Sequence, residues 1–167
     1  MAAPPEVRIP IDDIAADDSI QARAGGVNPE VVEEYAEVYA AEPDEEKREM
    51  IFPPVDVFKD GDVMLLADGF SRLEAAKKSR LSRIKGVVRT GTKRDAILHA
   101  VKANSTHGQR RTNADKRRAV EMVLSDPDWA NWSDRGIAKH CAVSQPFVSK
   151  VRSELSDNCY QPAMNGS

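Results

Sequence analysis

The chain has little of what covalent or metal scaffolds are made from. Its two cysteines, Cys141 and Cys159, do not form a Cys-x-x-Cys pair, and His99, His107 and His140 show no ligand spacing with one another or with the cysteines. A structural zinc site needs four such groups, so no metal framework is expected and Cys141 reads as a buried thiol. Long apolar runs are missing too: no stretch of about 18 apolar residues and no basic-then-hydrophobic N-terminal leader is present. The expectation is a cytoplasmic protein with no membrane partner.

Positive charge is scarce in the first part of the chain only. Residues 1–68 hold 18 Asp and Glu against 5 Lys and Arg, whereas residues 69–167 hold 9 against 19, so an overall net charge of -3 hides two oppositely charged parts. The basic part suits phosphate groups; the acidic part suits a protein partner or a solvated helix face, and Glu33, Glu34 and Glu37 fit the second description. With 167 residues, 41% of them hydrophobic, the chain can form one compact domain or two small ones.

The most informative segment is Ser133–Leu155. Ile137, Ala138, Cys141, Val143, Val148 and Val151 are spaced to form the inner seam of two short helices, with Ser133 and Ser144 placed to cap them. A helix-turn-helix has this pattern, and so has an ordinary helical hairpin. In the first case Ser144, Gln145, Pro146, Ser149, Lys150 and Arg152 lie on or beside the outer side of the second helix, the side that enters the major groove of double-stranded DNA. Gln pairs with adenine in two-point contacts, and Lys or Arg with guanine. Ala142 stands in the tight turn where Gly is favoured, which predicts slight strain. Upstream, Arg110, Arg111, Lys116, Arg117 and Arg118 form a basic run expected to bind the DNA backbone.

Before this lies a mixed pattern. Val7–Ile14 begins as an extended run, and Asn28 with Pro29 opens an amphipathic helix to Tyr39, followed by a loop rich in Glu, Asp and Pro. Val55–Phe58 and Val63–Leu66 flank an Asp-Gly turn and predict a hairpin. A helix is expected from about Phe70 to Lys78, a strand at 84–89, a helix at 92–102, a break at 106–108 and a helix at 114–124 capped by Thr112 or Asn113. The fold class is α+β: a small mixed-sheet domain over 7–103, an all-helical unit over 104–155 and a flexible tail over 156–167.

Three segments in this order resemble the ParB/sulfiredoxin-like N-terminal domain followed by a helix-turn-helix, over roughly residues 7–155. Ser19-Ile-Gln-Ala-Arg23 is similar to the family's early Gln-x-Arg box, Leu66–Ala76 to its strand-to-helix Gly-x-x-Arg box, and Ala103–Ala119 to its Glu-Asn-x-x-Arg box with the helix that follows. The resemblance implies a bound CTP, or ATP, with Mg²⁺, and assigns phosphate contacts to Gly69, Ser71 and Arg72 with support from Arg23, Asn104 and Arg110. Elementary chemistry agrees: a glycine at a helix start lets backbone N–H groups approach an anion, and an arginine forks onto phosphate oxygens. A simple Asp68-Gly69 turn with a surface Arg72 has the same letters.

Two departures weaken an enzymatic reading. Ala103 stands where many relatives have Glu, removing a carboxylate for Mg²⁺ or water, and Phe70 and Ser71 occupy the box in which sulfiredoxins carry their cysteine. The expected function is therefore a ParB-like DNA-binding protein of partition or regulatory type, modulated by nucleotide, with a homodimer and a protein partner on the acidic part as further expectations. The alternatives are an Mg-dependent nuclease or a phosphoryl-transfer or nucleoside-triphosphate-hydrolysing enzyme using the same cradle, and an adaptor built on the acidic part.

Overall fold

A computed structural model describes residues 2–106 and 109–159. His107, Gly108 and residues 160–167, most of the expected tail, lie outside the described residues.

The strands are β1 (Glu6–Pro10), β2 (Ile14–Ala15), β3 (Val55–Asp60), β4 (Val63–Asp68) and β5 (Arg83–Thr90), and the helices before the last strand are α1 (Pro29–Ala41), α2 (Glu45–Ile51) and α3 (Phe70–Lys78). The sheet order is β1-β5-β3-β4-β2. β3 and β4 form the expected hairpin, turning through Gly61 at φ 61°. β3 pairs in parallel with β5 after the α3 crossover. The Val7–Ile14 run divides: its first part pairs antiparallel with β5 at one edge, and Ile14–Ala15 pairs in parallel with β4 at the other.

Alternation along the strands gives the sheet two apolar faces. Ile9, Val55, Val57, Leu66 and Ile84 pack with Ala36, Tyr39, Leu73 and Ala76 of α1 and α3. Phe58, Leu65 and Ala67 pack on Ala96 and Ala100 of α4 (Lys93–Thr106). α4 runs four residues past its expected end, straight through positions 103 and 104 where the sequence divides the two units. Its Val101 lies in a second core with α5 (Asn113–Leu124), α6 (Asp134–Cys141) and α7 (Gln145–Asn158). One helix thus belongs to both cores and couples the sheet to the helical unit.

Local caps explain most helix starts. Asn28 accepts from the Glu30 N–H with Pro29 following, and Thr112 and Asp115 form a reciprocal capping box at α5. The α2 segment, expected as loop, is a helix capped by Asp44 and holds no buried residue. α7 continues to Asn158, so residues 156–158, expected in the tail, are helical.

Candidate functional site

The expected phosphate cradle begins at Gly69, which caps α3 at φ 100° with no side chain closing the helix end. Glycine is required there twice over. The left-handed φ disfavours any side chain, and a Cβ would lie 2.5 Å from Val55 Cγ1. The open helix start faces a cleft of about 120 Å³ lined by Arg23, Val31, Tyr35, Asp68, Gly69, Phe70, Ser71, Arg72 and Gln109. The structure therefore brings Arg23, Gly69, Ser71 and Arg72 together, on segments 46 or more residues apart in sequence. Val31, Tyr35 and Gln109 complete the walls and carry no sequence signal of their own. At the letters 31 and 35 an i, i+4 apolar pair reads as core.

Both arginines of the cleft are already held. Arg72 Nη1 donates to the carbonyls of Pro53 and Pro54 at 2.7 Å each, and Nη2 donates to Asp68 Oδ2 at 3.0 Å. Arg23 Nη2 donates to the Gln109 carbonyl at 2.7 Å and Nη1 reaches Asp115 Oδ2 at 3.3 Å. Arg72 shapes the floor of the cleft, and Arg23 ties its wall to α5. Asn104 and Arg110 do not line the cleft. Asn104 Nδ2 is buried with no hydrogen-bond partner among the described residues, and Arg110 is exposed ahead of α5.

Asp115 is the anchor of this joint. It is 5% exposed, its Oδ1 accepts from the Ala24 N–H at 2.9 Å and its Oδ2 from the Thr112 N–H at 2.8 Å. Burial pulls its pKa upward, but these backbone donors and the Arg23 charge outweigh burial and hold the carboxyl below the usual range. Beside α4, Asp56 meets His99 at 3.3 Å and Arg89 at 3.2 Å; again burial raises the carboxyl while His99 and Arg89 outweigh it and lower it. No group of three or more His, Cys, Asp or Glu side chains converges as a metal site among the described residues.

The α6–α7 pair has the expected inner seam: Ile137, Ala138, Cys141, Val148 and Val151 are buried and Val143 is partly so. Burial pushes the Cys141 thiol up to about 12, so it is inert. Ser133 caps α6 by accepting from the Gly136 N–H at 3.1 Å, and Ala142 turns the chain at φ 51°, the left-handed conformation that glycine would adopt without cost. Ser144 has extended backbone geometry but makes no side-chain cap, contrary to expectation; Pro146 in the first turn presets the helix instead.

The outer face is smaller than expected. Ser144, Gln145, Pro146 and Lys150 are exposed. Arg152 is turned inward: its guanidinium donates to Asp134 Oδ1 at 2.8 Å, the Ala130 carbonyl at 2.7 Å and the Trp132 carbonyl at 3.0 Å. Ser149 donates to Asp134 Oδ2 at 2.5 Å, so Asp134 holds both residues against α6. Asp134 is the first residue of α6, and these two partners lie 15 and 18 residues further along the chain.

Three of the five expected backbone-binding cations are likewise internal. Arg111 donates to the carbonyls of Cys141 and Ala142 at 2.7 and 2.8 Å, closing the C-terminal end of α6. Arg118 donates to the carbonyls of Gln21 and Asp18, both at 2.7 Å, and Arg117 bridges Glu121 and Glu154. Arg110 and Lys116 make no ion pair among the described residues, and the same holds for Lys102, Arg135 and Lys139. A run of charges on paper is in three dimensions a set of struts with two free members.

No family model matches the chain. Among solved structures it is similar to the C-terminally truncated chromosome-partitioning protein ParB of Caulobacter crescentus complexed to the centromeric parS site, with a TM-score of 0.57, 15% identity, and coverage of 94% of this chain and 73% of that one. The same protein complexed with CTP-gamma-S gives a TM-score of 0.50 at 14% identity, covering 91% and 79%. The chain has the α+β fold of ParB. Among curated proteins, the "Streptomycin biosynthesis operon possible regulatory protein" of Streptomyces griseus is 34% identical over 86 residues, which is 52% of this chain and 24% of that protein. The chain spans about a quarter of that relative's length.

Proposed function

We propose that the protein is a ParB-like DNA-binding regulator whose α6–α7 pair is a helix-turn-helix. The carrying observation is the division of labour on α7: Val148 and Val151 are sealed in the core, Ser149 and Arg152 are locked to Asp134, and Gln145, Pro146 and Lys150 are exposed at the helix's N-terminal part, Lys150 with a single 3.9 Å approach to Glu154. N-terminal residues of the second helix contact base edges in this motif. Gln145 and Lys150 are the groups with base-reading chemistry, and Arg110, Lys116 and Arg135 are the unpaired cations for the phosphate backbone. Two similar structures agree with this reading, one of them a ParB complexed to parS DNA. The curated relative, a possible regulatory protein, supports the regulatory form of the reading.

Fluorescence anisotropy of a pool of short duplexes across a salt titration tests it. Binding is expected to weaken steeply with salt, and Gln145→Ala is expected to flatten preference among duplexes while leaving the salt slope unchanged. Equal loss on every duplex, or no loss, contradicts the reading role of Gln145.

The Gly69 cleft supports a second element, modulation by a nucleotide. The unblocked start of α3 offers backbone N–H groups and the Ser71 hydroxyl to a phosphate, with Arg23 at the opposite wall. A space of about 120 Å³ holds a phosphate group and not a whole nucleoside triphosphate, so base and ribose would extend beyond it. The ParB neighbour complexed with CTP-gamma-S makes CTP the first ligand to test, with ATP and Mg²⁺ beside it. Mg²⁺ has one carboxylate at hand, Asp68, itself paired with Arg72. This favours a binding role for the cleft over the nuclease or triphosphatase alternative. Equilibrium titration with CTP-Mg²⁺ and ATP-Mg²⁺, repeated on Ser71→Ala, reads the site; unchanged binding in that variant contradicts it.

A further inference from the structure

A separate groove of about 460 Å³ lies between the C-terminal end of α4 and the outer side of α6. Lys102, Thr106, Trp132, Gly136, Lys139 and His140 line it. Trp132 is 37% exposed, a large aromatic surface left to water beside the helical core. Its ring meets the His140 ring at 5.9 Å and 72°, and His140 is fixed because Nε2 donates to the Leu98 carbonyl at 3.0 Å. Gly136 places no side chain in the groove. The two ammonium groups, from different helices, pair with no carboxylate among the described residues. Lys102 stands on the helix shared by the two cores and Lys139 on α6.

From this arrangement we infer that the groove is a binding site for a small planar aromatic molecule bearing one anionic group. The indole of Trp132 supplies a fixed wall for a ring, and Lys102 and Lys139 supply charge from the two flanking helices. The volume lies in the range of small-ligand pockets, roughly 300–1,000 Å³. A DNA strand is a poorer occupant. Backbone contacts rest on cations and polar groups, whereas this groove sets its two lysines beside an exposed aromatic wall. The site is distinct from the Gly69 cleft, with which it shares no lining residue. It does not depend on the DNA-binding reading.

Titration calorimetry with 1-naphthoate and its neutral analogue 1-naphthamide tests the inference. The wild-type protein should bind naphthoate more tightly by roughly tenfold or more, the scale of one charge-assisted hydrogen bond. The double variant Lys102→Ala/Lys139→Ala should bring naphthoate to the level of naphthamide. Trp132→Ala should abolish binding of both, and Trp132→Phe, which keeps a ring, should restore it. Both lysines are exposed, so the double variant remains folded and informative if Trp132→Ala does not fold. Equal affinity for the two probes in the wild type, or naphthoate binding that survives Trp132→Ala in a folded protein, overturns the proposal. So does an absence of naphthoate binding together with a shallower DNA salt slope in the lysine variant, which would assign the groove to the DNA backbone.

Discussion

Replacing Asp115 by Ala is the sharpest test of how the two cores are joined. The carboxylate accepts from the Ala24 N–H at 2.9 Å and the Thr112 N–H at 2.8 Å, and faces Arg23 at 3.3 Å, while the Asp115 N–H donates to Thr112 Oγ1 at 3.1 Å as the other half of the capping box. Truncation takes the acceptor from two part-buried hydrogen bonds, at about 1–1.5 kcal/mol each, and breaks a cap whose loss costs about 1 kcal/mol. These terms overlap at Thr112, so the expected loss is about 3 kcal/mol. For a chain of this size that lowers the thermal midpoint by roughly 6–12 °C. The pH dependence adds a second readout. Because the folded carboxyl lies below its ordinary pKa, its contribution is fully present above the unfolded value near 4 and is lost as pH falls through the folded value. The gap between wild type and variant in urea unfolding should therefore be constant from about pH 5 to 8 and narrow progressively as the pH falls below about 4. A loss under about 1 kcal/mol at pH 7, or a gap that does not narrow as the pH falls below about 4, refutes the anchor.

Two further outcomes separate struts from reading groups. Arg152→Ala should cost about 2 kcal/mol in urea unfolding through three lost hydrogen bonds, whereas Lys150→Ala should leave stability unchanged and lower the DNA salt slope by about one; the reverse pattern contradicts the assignment. Gly69→Ala should destabilise by about 2–4 kcal/mol, from a left-handed φ and a 2.5 Å approach to Val55, and a midpoint within a degree of wild type would show that the turn relaxes freely.

Much of this was legible in the letters because it rests on local periodicity. The β3–β4 hairpin follows from alternation around Asp-Gly, α3 from its strand-Gly-helix junction, and the α6–α7 seam from six apolar positions. What escaped rests on distant partners. α2 has the letters of a charged loop, and is a helix through the Asp44 cap and the Arg48 donation to the Pro43 carbonyl. The split of Val7–Ile14 between opposite sheet edges is fixed by strands more than 40 residues downstream. The arginines are the clearest case. Arg111, Arg118 and Arg152 look like free charges in sequence, but each meets backbone carbonyls that only the folded chain presents. Ser133 and Ser144 each stand just before a helix, and only the Ser133 side chain caps.

The central claim is that the free N-terminal face of α7 brings this protein to DNA. Anisotropy of a labelled duplex pool with the wild-type protein, from about 50 to 200 mM salt, measures it most directly. The account predicts binding at low salt that weakens with a log–log slope of at least about two, and a shallower slope for Lys150→Ala. No binding at about 50 mM salt, or binding indifferent to salt and to Lys150, would contradict it.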